Sequence, residues 1–181
     1  MGNRPRSARA GGAGGAQPAV DAIVGLGANL GEAAATLSAA RRALADVPET
    51  TLAACSSLYR TAPVGWEHQP DFLNAVCRLE TALAPEVLAD ALFAIERRLG
   101  RVRSGLRNGP RAIDIDLLYY EGAVREDPAL RLPHPRLQER AFVLYPWAEI
   151  MPAFRIPGLG ALADLCRRVE GQRVERLEVQ W

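Results

Sequence analysis

The order in which predicted strands and helices follow one another is the feature that most limits the fold of this chain. Four segments have the pattern of strands, at residues 20–26, 51–60, 71–82 and 112–120. Two segments have apolar residues at helical spacing, at residues 31–47 and 85–99. The order β-α-β-β-α-β predicts a ferredoxin-like α+β sandwich, in which an antiparallel sheet carries helices on one face.

The two ends of the chain complete this organisation. Residues 1–18 combine three arginines with five glycines, an acid-free composition that predicts a disordered tail. Residues 19–181 are predicted to form a single domain with C-terminal additions beyond residue 120. These additions comprise a short helix near 136–141, another at 161–169 and a terminal strand at 173–179.

Composition excludes several classes of function. All 22 basic residues are arginine, so a Schiff-base lysine and a P-loop lysine are absent, and bound anions need arginine, backbone N–H groups or a metal. A formal net charge of +1 argues against nucleic-acid and membrane partners, and no apolar run is long enough for a membrane span. Three widely spaced cysteines without a CxxC motif fit a reducing compartment, so we expect a cytoplasmic protein.

Two aspartates in the last predicted strand are the first candidates for chemistry. In Ala112-Ile113-Asp114-Ile115-Asp116-Leu117, alternation places Ile113, Ile115, Leu117 and Tyr119 on the core face and both aspartates on the other. Neighbouring carboxylates repel each other, so something must compensate for them. That partner is either a hard divalent cation such as Mg²⁺, which leaves room for phosphate oxygens, or flanking arginines on a solvated sheet face.

An arginine-rich segment precedes this strand. Residues 97–111 hold six arginines and no acid. Arg97 and Arg98 are explained by the end of the second helix, where cations suit the dipole. The other four follow Gly100 in a loop that leads to the aspartates, and guanidinium groups bind phosphate in a bidentate manner. Together with the aspartates, this loop indicates phosphoryl chemistry on a polyphosphate.

Other segments allow two interpretations. Gly25-Leu26-Gly27-Ala28-Asn29-Leu30-Gly31 has its third glycine one residue late for a dinucleotide fingerprint, so we expect a tight turn in which Asn29 caps the first helix. Phe72 and Asn74 share a strand face and could recognise a flat heterocycle, or belong to the core and a turn. His134, followed by Arg140, could face phosphate or be structural.

Four motifs in order resemble the 6-hydroxymethyl-7,8-dihydropterin pyrophosphokinase family of folate biosynthesis. They are GLGANLG, SSLYRTAPVGWEHQPDFLNAV, GRVRSGLRNGPRAIDIDLLYY and LPHPRLQERAFVLYPWAEI. The resemblance covers about residues 20–155. It implies a ferredoxin-like fold, ATP as co-substrate, two Mg²⁺ ions, and transfer of pyrophosphate to the pterin hydroxyl with release of AMP.

The resemblance also implies roles for individual residues. The catalytic residues it implies are Arg101, Arg111, Asp114 and Asp116, of which the two aspartates bind the metal. Further ATP-binding residues are Glu96, Arg103, Leu117, His134 and Arg140. The implied pterin pocket consists of Thr61, Ala62, Val64, Phe72, Asn74 and Phe142.

Two other classes of function fit the sequence less well. A ferredoxin-like sandwich also serves RNA recognition, but the central strands lack the aromatic and basic pattern of that class. A regulatory small-ligand module would leave the aspartate pair unexplained. We therefore expect a monomeric enzyme whose partners are a small pterin and ATP.

Overall fold

The computed structural model describes residues 18–63, 65, 68–101 and 109–181. The predicted tail, Val64 and Arg103 lie outside the described residues, except for Pro18 at the end of the tail. The larger strands and helices are β1 (Val20–Ala28), α1 (Ala33–Ala45), β2 (Thr50–Cys55), β3 (Tyr59–Thr61), β4 (Phe72–Thr81), α2 (Pro85–Arg98) and β5 (Asp114–Tyr120). They are followed by β6 (Arg125–Asp127), β7 (Leu130–Leu132), α3 (Ala141–Ile150), β8 (Arg155–Ile156), β9 (Gly160–Ala161), α4 (Leu162–Arg168) and β10 (Val174–Arg176).

One antiparallel sheet forms the centre of the fold, with the strand order β10-β3-β4-β1-β5 and β2 also paired to β4. Leu37 and Leu44 of α1 and Leu88 and Leu92 of α2 are buried in the core on one face of this sheet. Helical spacing predicted these buried positions because residues three and four apart share one side of a helix. The observed α+β sandwich confirms the predicted ferredoxin-like class.

The segment predicted as one strand at 51–60 is two strands, β2 and β3, separated by residues 56–58, which are not in a strand. The backbone N–H of Ser56 donates to Val76 O at 2.9 Å, and its hydroxyl accepts a bond from the backbone N–H of Val76 at 3.0 Å. As a result β2 pairs with the second half of β4 and β3 with the first half. This arrangement brings Thr61, the last residue of β3, opposite Phe72.

A second layer covers part of the other sheet face, contrary to the expectation of helices on one face only. The predicted short helix near 136–141 is a 3-10 turn at Leu137–Glu139, and it leads into α3. Trp147 of α3 is fully buried against Tyr119 and Phe154, with ring centroids 6.0 Å and 5.4 Å away. The segment AFVLYPWAEI is apolar on nearly all sides and contains Pro146, so its sequence has no helical stripe to detect.

An irregularity in β5 corrects the prediction for Tyr119. Ile113, Ile115 and Leu117 belong to the core beneath α1 and α2, as expected, but Tyr119 belongs to the core beneath α3. The pairing with β1 shifts by one residue between Ile23 and Val24, and such a shift moves the following side chains to the opposite face. The two aspartates precede the irregularity, so their common face is unaffected.

None of the described helices combines the length and the apolar character needed to cross a bilayer. The terminal strand predicted at 173–179 is shorter, at Val174–Arg176, and it pairs with β3.

Candidate active site

A cleft of about 290 Å³ opens on the sheet face opposite α1 and α2, where β1, β4 and β5 lie side by side. Most of the residues predicted for the site line this one cleft: Thr61, Ala62, Phe72, Asn74, Arg101, Arg111, Asp114, Asp116, His134, Arg140 and Phe142. Glu96 and Leu117 do not line it, and Gly27 lines it without having been predicted. A single concave site with convergent charged groups is the usual form of an active centre.

Asp114 is held by two arginines. Nη1 of Arg101 lies 2.7 Å from Oδ1 of Asp114, and Nη1 of Arg111 contacts Oδ2. Arg101 follows the end of α2 and Arg111 precedes β5, so both arginines reach Asp114 from the two ends of the arginine-rich segment. Flanking arginines, one of the two kinds of partner that the sequence suggests, are therefore in contact with this aspartate.

Glu96 anchors Arg101 from within the protein. The carboxylate is 1% exposed, and its Oε1 contacts Nη1 of Arg101 and accepts a bond of 2.6 Å from the backbone N–H of Ile115. Burial raises the pKa of Glu96, while the Ile115 N–H and Arg101 oppose that rise. Glu96 therefore fixes the guanidinium of Arg101 and the start of β5 relative to each other.

Asp116 has only a long ion pair among the residues that the structure describes. Its side chain is 41% exposed, and its ion pair with Arg140 is long, with Nη1 3.9 Å from Oδ2. Desolvation by the surrounding protein and the negative charge of Asp114 raise the pKa of Asp116 to about 7, and Arg140 opposes this rise. Two carboxylates on one strand face, one of them without a close cation in the described part of the chain, fit a hard divalent cation such as Mg²⁺.

The number of protein ligands in the cleft is small. Among the described residues, no group of three or more His, Cys, Asp or Glu side chains could surround a metal ion. Mg²⁺ does not need one, because it keeps several waters and is commonly bound by one or two carboxylates together with substrate phosphates. The donor set therefore suits a cation that arrives with a polyphosphate.

The other end of the cleft has the character of a site for a flat heterocycle. Nδ2 of Asn74 donates to Oγ1 of Thr61 at 2.8 Å, and both side chains are 5% exposed. The rings of Phe72 and Phe142 also line the cleft. The guanidinium carbon of Arg111 lies 5.8 Å from the centroid of Phe72, and that of Arg140 lies 5.5 Å from the centroid of Phe142. Aromatic rings and a fixed carboxamide provide stacking surfaces and oriented hydrogen bonding.

Gly27 explains how Asn74 and Asp114 come to share this cleft. The strand β1 continues through Ala28, and in its register Gly27 stands opposite Asn74 of β4 and Asp114 of β5. A Cβ on Gly27 would lie 3.0 Å from Oδ1 of Asn74, so the missing side chain leaves the space between the two neighbours. The interpretation of this segment as a tight turn, made from the sequence, missed this role. The available signal was the pair Gly25 and Gly27, two apart near the end of the first strand.

Asn29 does not cap α1, contrary to the prediction. The residue preceding α1 is Glu32, and no side-chain bond caps the helix. Instead, Asn29 donates to Oε1 of Gln69 at 2.9 Å and to Pro70 O at 3.0 Å, and its Oδ1 accepts a 2.8 Å bond from the backbone N–H of Arg111. Asn29 thus joins the segment before β4 to the backbone of a cleft arginine, a long-range role that local sequence patterns do not reveal.

A second cavity of about 220 Å³ lies between α2, β5 and the β6–β7 hairpin. Its walls are mainly apolar, and they include Leu92 and Phe93 of α2 and Leu117 of β5. Asp116 and His134 line both this cavity and the cleft. The two spaces therefore meet at an acidic side chain and an imidazole.

His134 is held as a neutral imidazole at this junction. Burial and the neighbouring Arg140 lower the pKa of His134 to about 4. Its Nδ1 accepts a bond of 3.3 Å from the backbone N–H of Arg136, and its own backbone N–H donates to Leu118 O at 2.8 Å. With Nδ1 acting as acceptor, Nε2 carries the proton and can donate to a ligand.

Comparisons with known proteins identify relatives of this chain. The model of the family described as 7,8-dihydro-6-hydroxymethylpterin-pyrophosphokinase matches residues 23–152. A Pseudomonas aeruginosa protein named 2-amino-4-hydroxy-6-hydroxymethyldihydropteridine pyrophosphokinase is 45% identical over 154 residues, which cover 85% of this chain and 94% of the relative. A protein of the same name from Methylorubrum extorquens is 45% identical over 157 residues, covering 87% and 98%.

Solved structures support the fold independently of sequence. A chain described as HPPK-DHPS in complex with substrates superposes with a TM-score of 0.70 at 14% identity, over 90% of this chain and 47% of that chain. The Plasmodium falciparum HPPK-DHPS chain with pterin and p-hydroxybenzoate gives a TM-score of 0.70 at 12% identity, over 92% and 46%. This chain spans about half the length of those solved chains.

Proposed function

Because this chain belongs to the 7,8-dihydro-6-hydroxymethylpterin-pyrophosphokinase family, and so transfers pyrophosphate from ATP to hydroxymethyldihydropterin in folate biosynthesis, we propose that the cleft around Asp114 and Asp116 is its catalytic centre. The observation that carries this proposal is the meeting of two differently built spaces at Asp116 and His134. A reaction between two substrates needs two sites that open onto one point.

The character of each space assigns its substrate. The pterin ring occupies the cleft, where Asn74 and Thr61 provide fixed polar groups and Phe72 and Phe142 provide aromatic surfaces. The same part of the cleft includes Ala62, and Val64 belongs to this proposal through the family resemblance alone. The polar ring edges are recognised by hydrogen bonds and the faces by packing.

The nucleobase of ATP occupies the second cavity against Leu92, Phe93 and Leu117. Its triphosphate then passes His134 and Asp116 toward the cleft, where Arg101, Arg111 and Arg140 are within reach of the phosphates. Arg103 is assigned to ATP by the resemblance only. In this arrangement Glu96 acts through Arg101 and has no direct contact with the nucleotide.

Asp114 and Asp116 are the residues that would hold Mg²⁺, and the proposal of two ions comes from the family resemblance. When bound, the metal neutralises phosphate charge and polarises the attacking hydroxyl. The chain's own contribution is to hold both substrates at one point and to supply positive charge. Arg101 and Arg111 supply that charge at the transferring group, and the neutral His134 donates to a phosphate oxygen without adding a further cation.

The bond changes follow from these positions. The hydroxymethyl oxygen of the pterin forms a bond to the β-phosphorus of ATP, and the bond from this phosphorus to the α–β bridging oxygen breaks. AMP leaves with the bridging oxygen, and the hydroxyl proton is released to solvent. Catalysis of this kind rests on positioning and on electrostatic stabilisation more than on covalent help from the protein.

The proposed location is the cytoplasm and the proposed active form is a monomer. All three cysteines are free thiols, which suits a reducing compartment. The residues assigned to both substrates come from one chain, so the site does not need a second copy.

Filling the second cavity tests the assignment of the two substrates. We expect Ala89→Phe, which places a ring in the 220 Å³ cavity, to raise the KM for ATP at least roughly tenfold while pterin binding stays within about twofold. Ala94→Phe on the exposed side of α2 is the matched control. Equal losses for ATP and pterin, or no loss for ATP, would contradict the assignment.

A further inference from the structure

The C-terminal segment around β10 touches both walls of the cleft. Val174 of β10 pairs with Thr61 of β3, and Thr61 holds the carboxamide of Asn74. Two residues earlier, the side chain of Gln172 reaches the opposite wall at the start of α3. A few consecutive residues therefore join the side of the cleft that carries Asn74 to the side that carries Arg140 and Phe142.

Gln172 binds the backbone on both sides of Arg140. Its Oε1 accepts a bond of 3.0 Å from the N–H of Ala141, and its Nε2 donates to the carbonyl of Glu139 at 2.7 Å. Ala141 is the first residue of α3, and Arg140, the residue before it, provides no side-chain cap. Gln172 satisfies an N–H group that the helix itself leaves unpaired.

Arg140 and Phe142 depend on this backbone for their positions. Arg140 has an extended backbone, with φ −117° and ψ 103°, at the point where the 3-10 turn ends and α3 begins. Its guanidinium lies 5.5 Å from the ring centroid of Phe142 and 3.9 Å from Oδ2 of Asp116. A small rotation of the peptides on either side of Arg140 would displace both side chains in the cleft.

We propose that Gln172 is a positioning residue for the reaction, and that its two backbone bonds fix Arg140 and Phe142 against the substrates. The inference rests on the proposed function of the cleft. Gln172 itself is exposed and lines a neighbouring cavity that shares Arg140 and Phe142 with the cleft, but not the cleft itself. Its proposed action on the cleft is therefore through the residues that it holds.

The test compares Gln172→Ala with Gln180→Ala, an exposed glutamine in the same C-terminal segment. For Gln172→Ala we expect kcat/KM for the pterin to fall roughly five- to tenfold, the effect of losing hydrogen bonds that order a site. The melting temperature should change by at most about 4 °C, because the bonds are at the surface. Gln180→Ala should match the unmodified protein in both measurements.

Gln172→Glu separates positioning from helix stability. The carboxylate still accepts from the Ala141 N–H, and a negative charge at a helix start is favourable, but it cannot donate to Glu139 O. We expect its kcat/KM to lie between those of the unmodified protein and Gln172→Ala, with no loss in melting temperature.

Two outcomes would overturn the inference. One is a kcat/KM for Gln172→Ala equal to that of Gln180→Ala. The other is a fall in kcat/KM that disappears when the assay is run well below the melting temperature, which would show a stability effect alone. Asp116→Asn in the same assay distinguishes a failure of the proposed function from a failure of this inference. Retained turnover in that variant would refute the proposed catalytic site, whatever the result for Gln172→Ala.

Discussion

Asp116 and Arg140 face each other across the cleft without forming a close ion pair, since Nη1 and Oδ2 are 3.9 Å apart. Asp114, two residues earlier on the same strand face, is in contact with Arg101 and Arg111. Among the described residues, Asp114 therefore has two close arginine partners, whereas Asp116 has one long ion pair. This asymmetry supports our proposal that an incoming cation binds the aspartate pair on the side of Asp116, next to the second cavity.

Removing the charge of Asp116 should abolish turnover without unfolding the protein. We expect Asp116→Asn to reduce AMP formation at least roughly a thousandfold, the scale at which loss of charge stabilisation in a transition state is felt. The melting temperature should stay the same or rise, because the variant removes repulsion from Asp114. AMP formation from ATP and the pterin, measured at several Mg²⁺ concentrations, checks this.

Asp46→Asn is the control for that substitution, since Asp46 is exposed at the end of α1, a helix that packs on the sheet face opposite the cleft. It should leave turnover unchanged. Turnover by Asp116→Asn close to that of the control, with the same Mg²⁺ dependence, would remove the metal role assigned to Asp116.

Arg101 combines a catalytic and a structural role, and a double substitution separates them. Arg101→Ala leaves the buried Glu96 without its cation, so we expect the free energy of unfolding to fall by about 2–3 kcal/mol. Adding Glu96→Gln should restore most of that stability, because the amide oxygen still accepts from the Ile115 N–H. The double variant should still have a greatly reduced kcat with little change in the KM for the pterin.

Urea unfolding and steady-state kinetics on both single variants and the double variant provide the comparison. If the double variant regains turnover along with stability, Arg101 serves only to neutralise Glu96. Equal losses in kcat and in pterin binding for Arg101→Ala would also remove its assignment to the transferring phosphate.

The residues that bear charge in the cleft could be predicted from the sequence, whereas the residues that hold them could not. Asp114 and Asp116 share a face because side chains alternate along any strand, and this rule needs no tertiary information. Asn29 binds the backbone of Arg111, 82 positions away, and a capping pattern near a helix start gave it a false local explanation. The position of Tyr119 depends on a one-residue shift in strand pairing, which β5 alone does not encode.

His134 should make the folded protein less stable in acid. Its pKa is about 4 in the folded state, because of burial and of Arg140 and Arg136, with Asp114 opposing them, and about 6.5 when unfolded. Between pH 4 and pH 6.5, His134 is therefore protonated more readily in the unfolded state than in the folded state. The contribution of neutral His134 to the stability of the fold is complete above about pH 6.5 and is lost as the pH falls toward 4. Because the two pKa values differ by about 2.5, we expect His134 to lower the free energy of unfolding by about 3 kcal/mol over this interval.

His134→Asn isolates this contribution, because every other titrating group is shared with the unmodified protein. Urea unfolding at pH 7.5 and at pH 4.5 should show a smaller drop in the free energy of unfolding for the variant. A drop of the same size in both proteins would mean that the pKa of His134 is the same in the folded and unfolded states.

Two glycines of β1 offer a matched pair of substitutions with opposite outcomes. A Cβ on Gly27 would lie 3.0 Å from Oδ1 of Asn74, in the cleft, whereas one on Gly25 would lie 3.1 Å from Cδ1 of Leu118, in the core beneath α3. Gly27→Ala should therefore displace the carboxamide and raise the KM for the pterin roughly tenfold, equivalent to about 1.4 kcal/mol. Gly25→Ala should lower the melting temperature through overpacking and leave the KM within about twofold. Pterin titrations and thermal melts on both variants test these expectations. A lower melting temperature with an unchanged KM for Gly27→Ala would show that Gly27 serves strand packing and that Asn74 does not bind the pterin.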